Sequence, residues 1–305
     1  MIAISLPWTK EDNADVSKML QSVKDMGLDA IEFGYTLTHE QVEAMIPLMQ
    51  RMGIRSASVH NFSPIPNDRP SPRHVSNYYR LTAVDEPERL SAVVWTNHSV
   101  DTAARTGAKV VVIHAGMIEL GDPRSPELLN LYKEGKGDSP EYQEIRRNLL
   151  KERERIKGPH LEALIKSLNV VMRYAQSKGI QIGLETRYYP TEIPNFQEIG
   201  EFLERYRSQG MGYWHDVGHA EVNGRLGITP HEQYLKAYGR DLIGVHLHGV
   251  QGLRDHNAPF CGDFHLEAVL PYFKKDTIKV IESRFGTFDQ LTVAVSKLKE
   301  IFSAS

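Results

Sequence analysis

The chain has 305 residues, is 41% hydrophobic and 25% charged, and carries a formal net charge of −3. That is the composition of an ordinary soluble globular protein, long enough for a single α/β barrel with a large core. The acidic balance offers no bulk electrostatic pull on nucleic acid, and no apolar run approaches the roughly 20 residues of a membrane span.

The N-terminus, MIAISLPWTK, lacks a basic n-region and reads as a first strand rather than a signal peptide. Short runs rich in Val and Ile follow at intervals. The predicted strands are 2–6, 30–33, 56–60, 110–114, 181–185, 211–216, 243–248 and 278–282. Amphipathic helical patterns lie between them. Four of these, at 11–27, 38–53, 93–107 and 161–179, stop at Gly27, Gly53, Gly107 and Gly179, the residue type expected just past a last turn. Eight strands alternating with helices predict a closed (β/α)8 barrel, one domain over 1–305; an open doubly wound sheet is the weaker alternative. Two segments exceed a plain barrel. Residues 64–88 are polar and rich in Pro and Arg. Residues 116–159, after the fourth strand, read as a helical insertion of dense mixed charge, more a solvated face than a substrate lid. The lone cysteine, Cys261, excludes an internal disulfide and points to a reducing, cytoplasmic setting.

The chemistry-bearing residues fall at one end of the strands. The third ends at His60, the fourth at His114, and the fifth at Glu185, with Arg187 beyond it. The sixth gives His215, Asp216 and then His219. The seventh gives His246 and His248, the eighth Glu282 and Arg284. Strand alternation puts Glu185 with Arg187, His246 with His248, and Glu282 with Arg284 on shared faces. Singly, each has a structural reading: a solvated carboxylate, a hydrogen-bonded core imidazole, an Arg in an ion pair. Six consecutive strands ending this way need another cause. Converging carboxylates repel unless a cation joins them, and a mixed N/O set suits a divalent metal, Mn or Zn ahead of Co or Mg.

The stretches GLETRYYPTEIPNF, GYWHDVGHAE, IGVHLHGVQGLRDHNAPFCGDF and KVIESRF resemble the xylose isomerase-like TIM-barrel superfamily, which holds sugar isomerases and epimerases together with apurinic endonucleases of the endonuclease IV type. The resemblance implies that Glu185, Asp216, His246 and Glu282 ligate one metal. It implies that Glu185 and Glu282 transfer protons beside a sugar carbonyl through an enediolate, and that His219, Arg187 and His248 bind substrate. The endonuclease branch implies further metals on His60 and His114, and on His219 and Asp255. Its remaining ligand, a His two residues past that Asp, is here Asn257, with His256 one residue out of register. The expected function is therefore a metal-dependent isomerase or epimerase of a sugar or sugar derivative. A multinuclear zinc phosphodiesterase, and a lyase or dehydratase on a keto-sugar or cyclitol, are the alternatives. The expected partner is a small carbohydrate, with neither nucleic acid nor membrane; homo-oligomerisation stays open. Trp8, Tyr35, Phe62, Tyr188 and Trp214 are expected to shape the pocket.

Overall fold

Short apolar strands that bury both faces must be covered on both sides, and capped amphipathic helices supply the cover. The computed structural model describes residues 1–8, 15–67, 78–120 and 124–303. In chain order these form β1 (Ile2–Leu6), α1 (Val16–Asp25), β2 (Ala30–Phe33), α2 (His39–Met52), β3 (Arg55–His60), α3 (Glu86–Thr106), β4 (Val110–Ile113), β5 (Gly116–Met117), α4 (Arg124–Lys133), α5 (Pro140–Ser177) and β6 (Gln181–Glu185). Then follow β7 (Glu192–Ile193), α6 (Phe196–Tyr206), β8 (Met211–Asp216), α7 (Val217–Arg225), α8 (His231–Tyr238), β9 (Leu242–Leu247), β10 (Gly249–Gln251), β11 (Arg254–Asn257), β12 (Ile278–Ile281) and α9 (Phe288–Ser303).

Eight strands close a barrel in the order β1-β2-β3-β4-β6-β8-β9-β12. Every neighbouring pair is parallel. They are the eight predicted strands, with bounds shifted by one residue at β3, β4, β9 and β12. The other four pair as antiparallel ribbons, β5 with β7 and β10 with β11. These ribbons lie in the connections that follow β4, β6 and β9, so they belong to the C-terminal face, where such barrels build their sites.

Glycine caps stop the helices where expected: Gly27, Gly53, Gly107 and Gly179 all have positive φ. The predicted α1 loses its first residues, 11–14, which lie outside the described residues; Asp15 caps it through Ser17 N and Lys18 N. Helix α3 starts earlier than its apolar pattern suggested. Asp85 caps it, accepting from Glu88 N at 2.9 Å, and Pro87 sits in its first turn. The tail of the polar 64–88 segment is therefore helical. In the 116–159 insertion, the second half is continuous with the helix expected at 161. Together they make the 38-residue α5, which runs through Pro159. At 1.5 Å per residue that is about 57 Å. Its buried Arg153 ties this helix to the barrel, donating to Glu198 Oε1 and Oε2 at 2.7 Å each and to the carbonyls of Pro190 and Glu192. Among the described residues, no helix is long and apolar enough to cross a membrane.

The barrel interior holds Ala3, Ala30, Ala57, Val110, Val112, Val280 and one large ring, Trp214. Trp214 is thus part of the core rather than of a pocket wall. A Cβ at Gly244 would lie 2.0 Å from the indole, and one at Gly183 3.1 Å from it, so both glycines make room for the ring. An indole of that size buries roughly 200 Å², about 5 kcal/mol at about 25 cal/mol per Å². Its ring packs edge-on against His246, 5.2 Å between centroids, and so floors the polar layer above.

Candidate metal centre and active site

Above that floor the strand ends converge. Glu32 comes from β2, His60 from β3, Glu185 from β6, Asp216 from β8 and His246 from β9, with His114 just past β4 and Glu282 just past β12. Glu32, Glu185, Asp216 and His246 are fully buried, and Glu282 is 6% exposed. His246 stands at the centre. Its Nδ1 lies 2.8 Å from Glu185, 3.1 Å from Glu282 and 3.6 Å from Asp216, and its Nε2 lies 3.2 Å from Glu32. Four carboxylates therefore surround one imidazole.

Hydrogen bonds fix how each side chain is presented. Ser58 Oγ donates to Glu32 at 2.7 Å, holding the carboxylate that faces His246 Nε2. Asp216 caps α7, accepting from His219 N at 2.7 Å, and His248 Nε2 lies 3.0 and 3.1 Å from its two oxygens. His248 Nδ1 accepts from His256 N at 2.9 Å, so the proton sits on Nε2 and points at Asp216. A Cβ at residue 218 would lie 2.0 Å from the His248 ring. Gly218, inside the Asp216-Val217-Gly218-His219 stretch, thus permits this close approach. His219 Nδ1 donates to the Thr186 carbonyl at 2.9 Å, which turns Nε2 towards Asp255, 3.5 Å away. His60 Nδ1 donates to the Asn61 carbonyl at 3.1 Å, which leaves its Nε2 3.8 Å from Glu185.

Burial opposes ionisation of all three carboxylates of the central set, yet the imidazoles prevail. His114, His246 and His60 hold Glu185 well below the usual range. His219 and His248 do the same for Asp216, and His246 and His256 for Glu282. Burial also pulls His246 down, but Glu32 and Glu282 raise it well above its ordinary value. Burial and the Arg187 charge lower His114 to about 3.

Three donor groups result: His60, His114 and Glu185; Glu185, Asp216, His246 and Glu282; and Asp216, His219 and His256. Within each, the ligand atoms lie within 4.8 Å of one another. Glu185 and Asp216 each belong to two groups. The buried His60 Nε2 and His114 Nδ1 have no hydrogen-bond partner. Unpaired imidazole nitrogens beside clustered carboxylates are costly alone and are what a divalent cation satisfies, so these residues fit one.

The predicted residues are all at this end of the barrel, but they differ in access. A cavity of about 1160 Å³ opens above the centre and is walled in part by His114, Arg187, His219, Asp255, Glu282 and Arg284. Glu185 lies beneath it, its oxygens engaged by His114, Arg187 and His246. Arg187 is held between Glu185 and Glu192 at 2.6 Å each, and His248 is fully buried beneath Asp216. Of the five aromatic residues expected to shape the pocket, Tyr35 and Tyr188 line the cavity; Trp8 and Phe62 are buried in the core. Ser125, Pro126 and Lys133 of α4 also line it, so part of the insertion serves as cavity wall rather than as a solvated face.

His256 overturns its expected register. Asn257 pairs across the β10–β11 ribbon with Gly249, while His256 adopts φ 58° and joins Asp216 and His219. Its Nδ1 lies 2.9 Å from Asp255 and its Nε2 3.5 Å from Glu282. Sequence reasoning also missed Glu32, Ser58 and Glu192. The available signal for Glu32 was a lone carboxylate inside the strand Ala-Ile-Glu-Phe.

A parallel eight-stranded barrel with an acidic and imidazole-rich C-terminal mouth defines a class of metal-competent α/β barrels. More particularly, the sequence profile of the Xylose isomerase-like TIM barrel family matches residues 20–284, and the chain belongs to that family. A protein of Sinorhizobium fredii (strain NBRC 101917 / NGR234), the uncharacterized protein y4fM, is 23% identical over 244 residues, 77% of this chain and 67% of the relative. Among solved structures, a D-tagatose 3-epimerase-like protein aligns at TM-score 0.68 with 17% identity, over 99% of this chain and 97% of its own. The 3-keto-D-glucoside 4-epimerase YcjR from E. coli aligns at 0.67 with 15% identity, over 100% and 99%. D-allulose 3-epimerase from Methylomonas sp., in complex with D-allulose, also aligns at 0.67 with 15% identity, over 100% and 96%. At these identities the likeness speaks for the shared fold.

Proposed function

We propose that the chain is a divalent-metal-dependent isomerase or epimerase of a sugar or sugar derivative, moving a proton at a carbon next to a carbonyl. One observation carries this reading: Glu282, ionised and near the buried Glu185, Asp216 and His246, reaches the wall of an open cavity large enough for a small molecule. The cation, Mn or Zn ahead of Co or Mg, would be held by Glu185, Asp216, His246 and Glu282 and would supply positive charge to the substrate's carbonyl and neighbouring hydroxyl oxygens. Glu282 takes or returns the proton at the face it presents to the cavity. Glu185 is the second carboxylate of the pair, and the Arg187 guanidinium, 2.6 Å away, stabilises its anionic form. His219 offers Nε2 to a substrate oxygen. A cytoplasmic location fits this chemistry and the single cysteine.

Incubating the Mn-loaded protein with ketoses in D2O tests the reading, because α-proton exchange is visible by NMR whatever the product. Glu282→Gln and Glu185→Gln should each reduce exchange at least a hundredfold. A variant that keeps most of the rate removes the two-glutamate mechanism.

The three donor groups favour a second reading, a multinuclear phosphodiesterase in which Glu185 and Asp216, each shared by two donor groups, would help hold more than one metal. In that reading His256 would take the place of the ligand that the sequence lacks at residue 257. Elemental analysis separates the two: one tightly held metal per chain supports the first reading. Three Zn per chain together with cleavage of abasic-site duplex DNA supports the second.

A further inference from the structure

The arginines of the cavity wall divide into two kinds. Arg80 is paired with Glu88 at 2.8 Å and Glu119 at 2.5 Å, and Arg187 with Glu185 and Glu192. Arg254 and Arg284 also line the cavity, yet neither guanidinium has a carboxylate or hydrogen-bond partner among the described residues. Each lies instead over an aromatic ring: Arg284 over Tyr35 at 4.9 Å, Arg254 over Phe285 at 5.4 Å. Backbone pairing brings the two together, since Arg284 N and Phe285 N both donate to the His256 carbonyl, at 2.9 and 3.1 Å, in the strand that Arg254 begins.

Glu282 lies only two residues from Arg284, but its oxygens face His246 and His256. Tyr35, in turn, packs against His60 and His114, 4.9 and 5.9 Å between centroids, so the ring under Arg284 is anchored on the metal-competent cluster. Ring stacking leaves the in-plane N–H donors free, which is the fork that binds carboxylates and phosphates. The cavity thus has an anionic floor for a cation and a cationic rim, two arginines wide, on one side of it.

We propose that Arg254 and Arg284 form a subsite for an anionic group of the substrate, a carboxylate or phosphate remote from the carbon that exchanges its proton. The proposal rests on the sugar isomerase or epimerase reading above and narrows its substrate class to acidic or phosphorylated sugars.

Three ketoses that share one keto end test it: D-fructose, D-fructuronate with a C6 carboxylate, and D-fructose 6-phosphate. Kd is measured by calorimetry on the Mn-loaded full chain, and deuterium exchange is followed in parallel. At least one anionic ketose should bind roughly tenfold or more tightly than D-fructose, and the stronger of the two identifies the anion. Arg284→Met and Arg254→Met should each remove most of that advantage while leaving D-fructose binding within twofold and the melting temperature unchanged. Arg284→Lys, which keeps the charge, should retain part of it. Equal binding of all three ketoses, no measurable binding of either anion, or an anion advantage that survives the double Met variant overturns the subsite. Anion-selective, arginine-dependent binding without deuterium exchange upholds the subsite and removes the isomerase reading instead.

Discussion

The carboxylate behind His246 gives the sharpest test of the metal centre. Glu32 is fully buried, accepts from Ser58 Oγ at 2.7 Å, and faces His246 Nε2 at 3.2 Å, on the ring edge opposite the other carboxylates. A carboxylate in that position orients a ligating imidazole and raises its basicity. Glu32→Gln keeps the shape and an acceptor but turns a charge-assisted hydrogen bond into a neutral one, roughly halving an interaction of about 1.5–3 kcal/mol. The expected loss is about 1 kcal/mol, or five- to tenfold in metal affinity. Glu32→Ala leaves both the Nε2–H and the Ser58 hydroxyl unpaired, so the loss should approach a hundredfold, with a fall in stability of about 1–3 kcal/mol. Competition against a chelator of known affinity, at fixed pH, measures both Kd values for Mn and Zn. If both variants bind metal within twofold of the parent, His246 is not a ligand or Glu32 does not orient it.

Three further outcomes follow from the packing around the centre. Gly218→Ala sets a Cβ 2.0 Å from the His248 ring, so overpacking of about 1–3 kcal/mol should lower the melting temperature and weaken metal binding as His248 leaves Asp216; an unchanged variant on both counts refutes that linkage. Arg153→Met leaves buried Glu198 without its main partner and should cost about 3–5 kcal/mol by denaturant unfolding; adding Glu198→Gln should recover part of it, and a double variant no better than the single contradicts the ion-pair account. Burial opposes ionisation of Glu192, but Arg187 holds its pKa below the usual range, so its stabilisation is complete above an unfolded value of about 4.3 and is lost as pH falls further. Glu192→Gln should therefore flatten the acid limb of stability below about pH 4.3 by up to about 1.4 kcal/mol per pH unit, and a limb as steep as the parent's rejects the pairing as its source.

The barrel was legible because its signals are local. Apolar runs bounded by glycine caps define strands and helices without tertiary information, and all eight barrel strands follow from them. Misread boundaries have local causes of another kind. Helix α3 begins at an aspartate cap inside a polar stretch, and α5 continues through Pro159, with Arg153 anchoring its charged half to the barrel. Polar strand ends exposed the central residues for the same reason: a carboxylate or imidazole ending an apolar run stands out. Glu32 does not end its run, and Trp214 looked like a pocket aromatic until Gly183 and Gly244, on the two strands that flank β8, gave it an interior place.

His256 shows what residue spacing alone misses. Counting from Asp255 assigns Asn257 to the missing ligand position and leaves the histidine one place short. Counting assumes a regular backbone, and residue 256 has φ 58°, a left-handed turn within β11. That turn stacks the ring on His248, 4.5 Å between centroids and nearly parallel, with its nitrogens towards Asp255 and Glu282. The same residue's N–H holds His248 Nδ1, which in turn directs His248 at Asp216, while its carbonyl receives Arg284 N. One hairpin residue therefore joins the support of Asp216, a third donor group and the segment after β12 that carries Arg284. Because a non-glycine residue with positive φ persists only where its surroundings over-determine it, these contacts are the reason the turn exists. Altering His256 should therefore disturb metal binding and the arginine rim together, whereas altering Asn257, whose amide among the described residues reaches the Arg254 carbonyl alone and no donor group, should disturb neither.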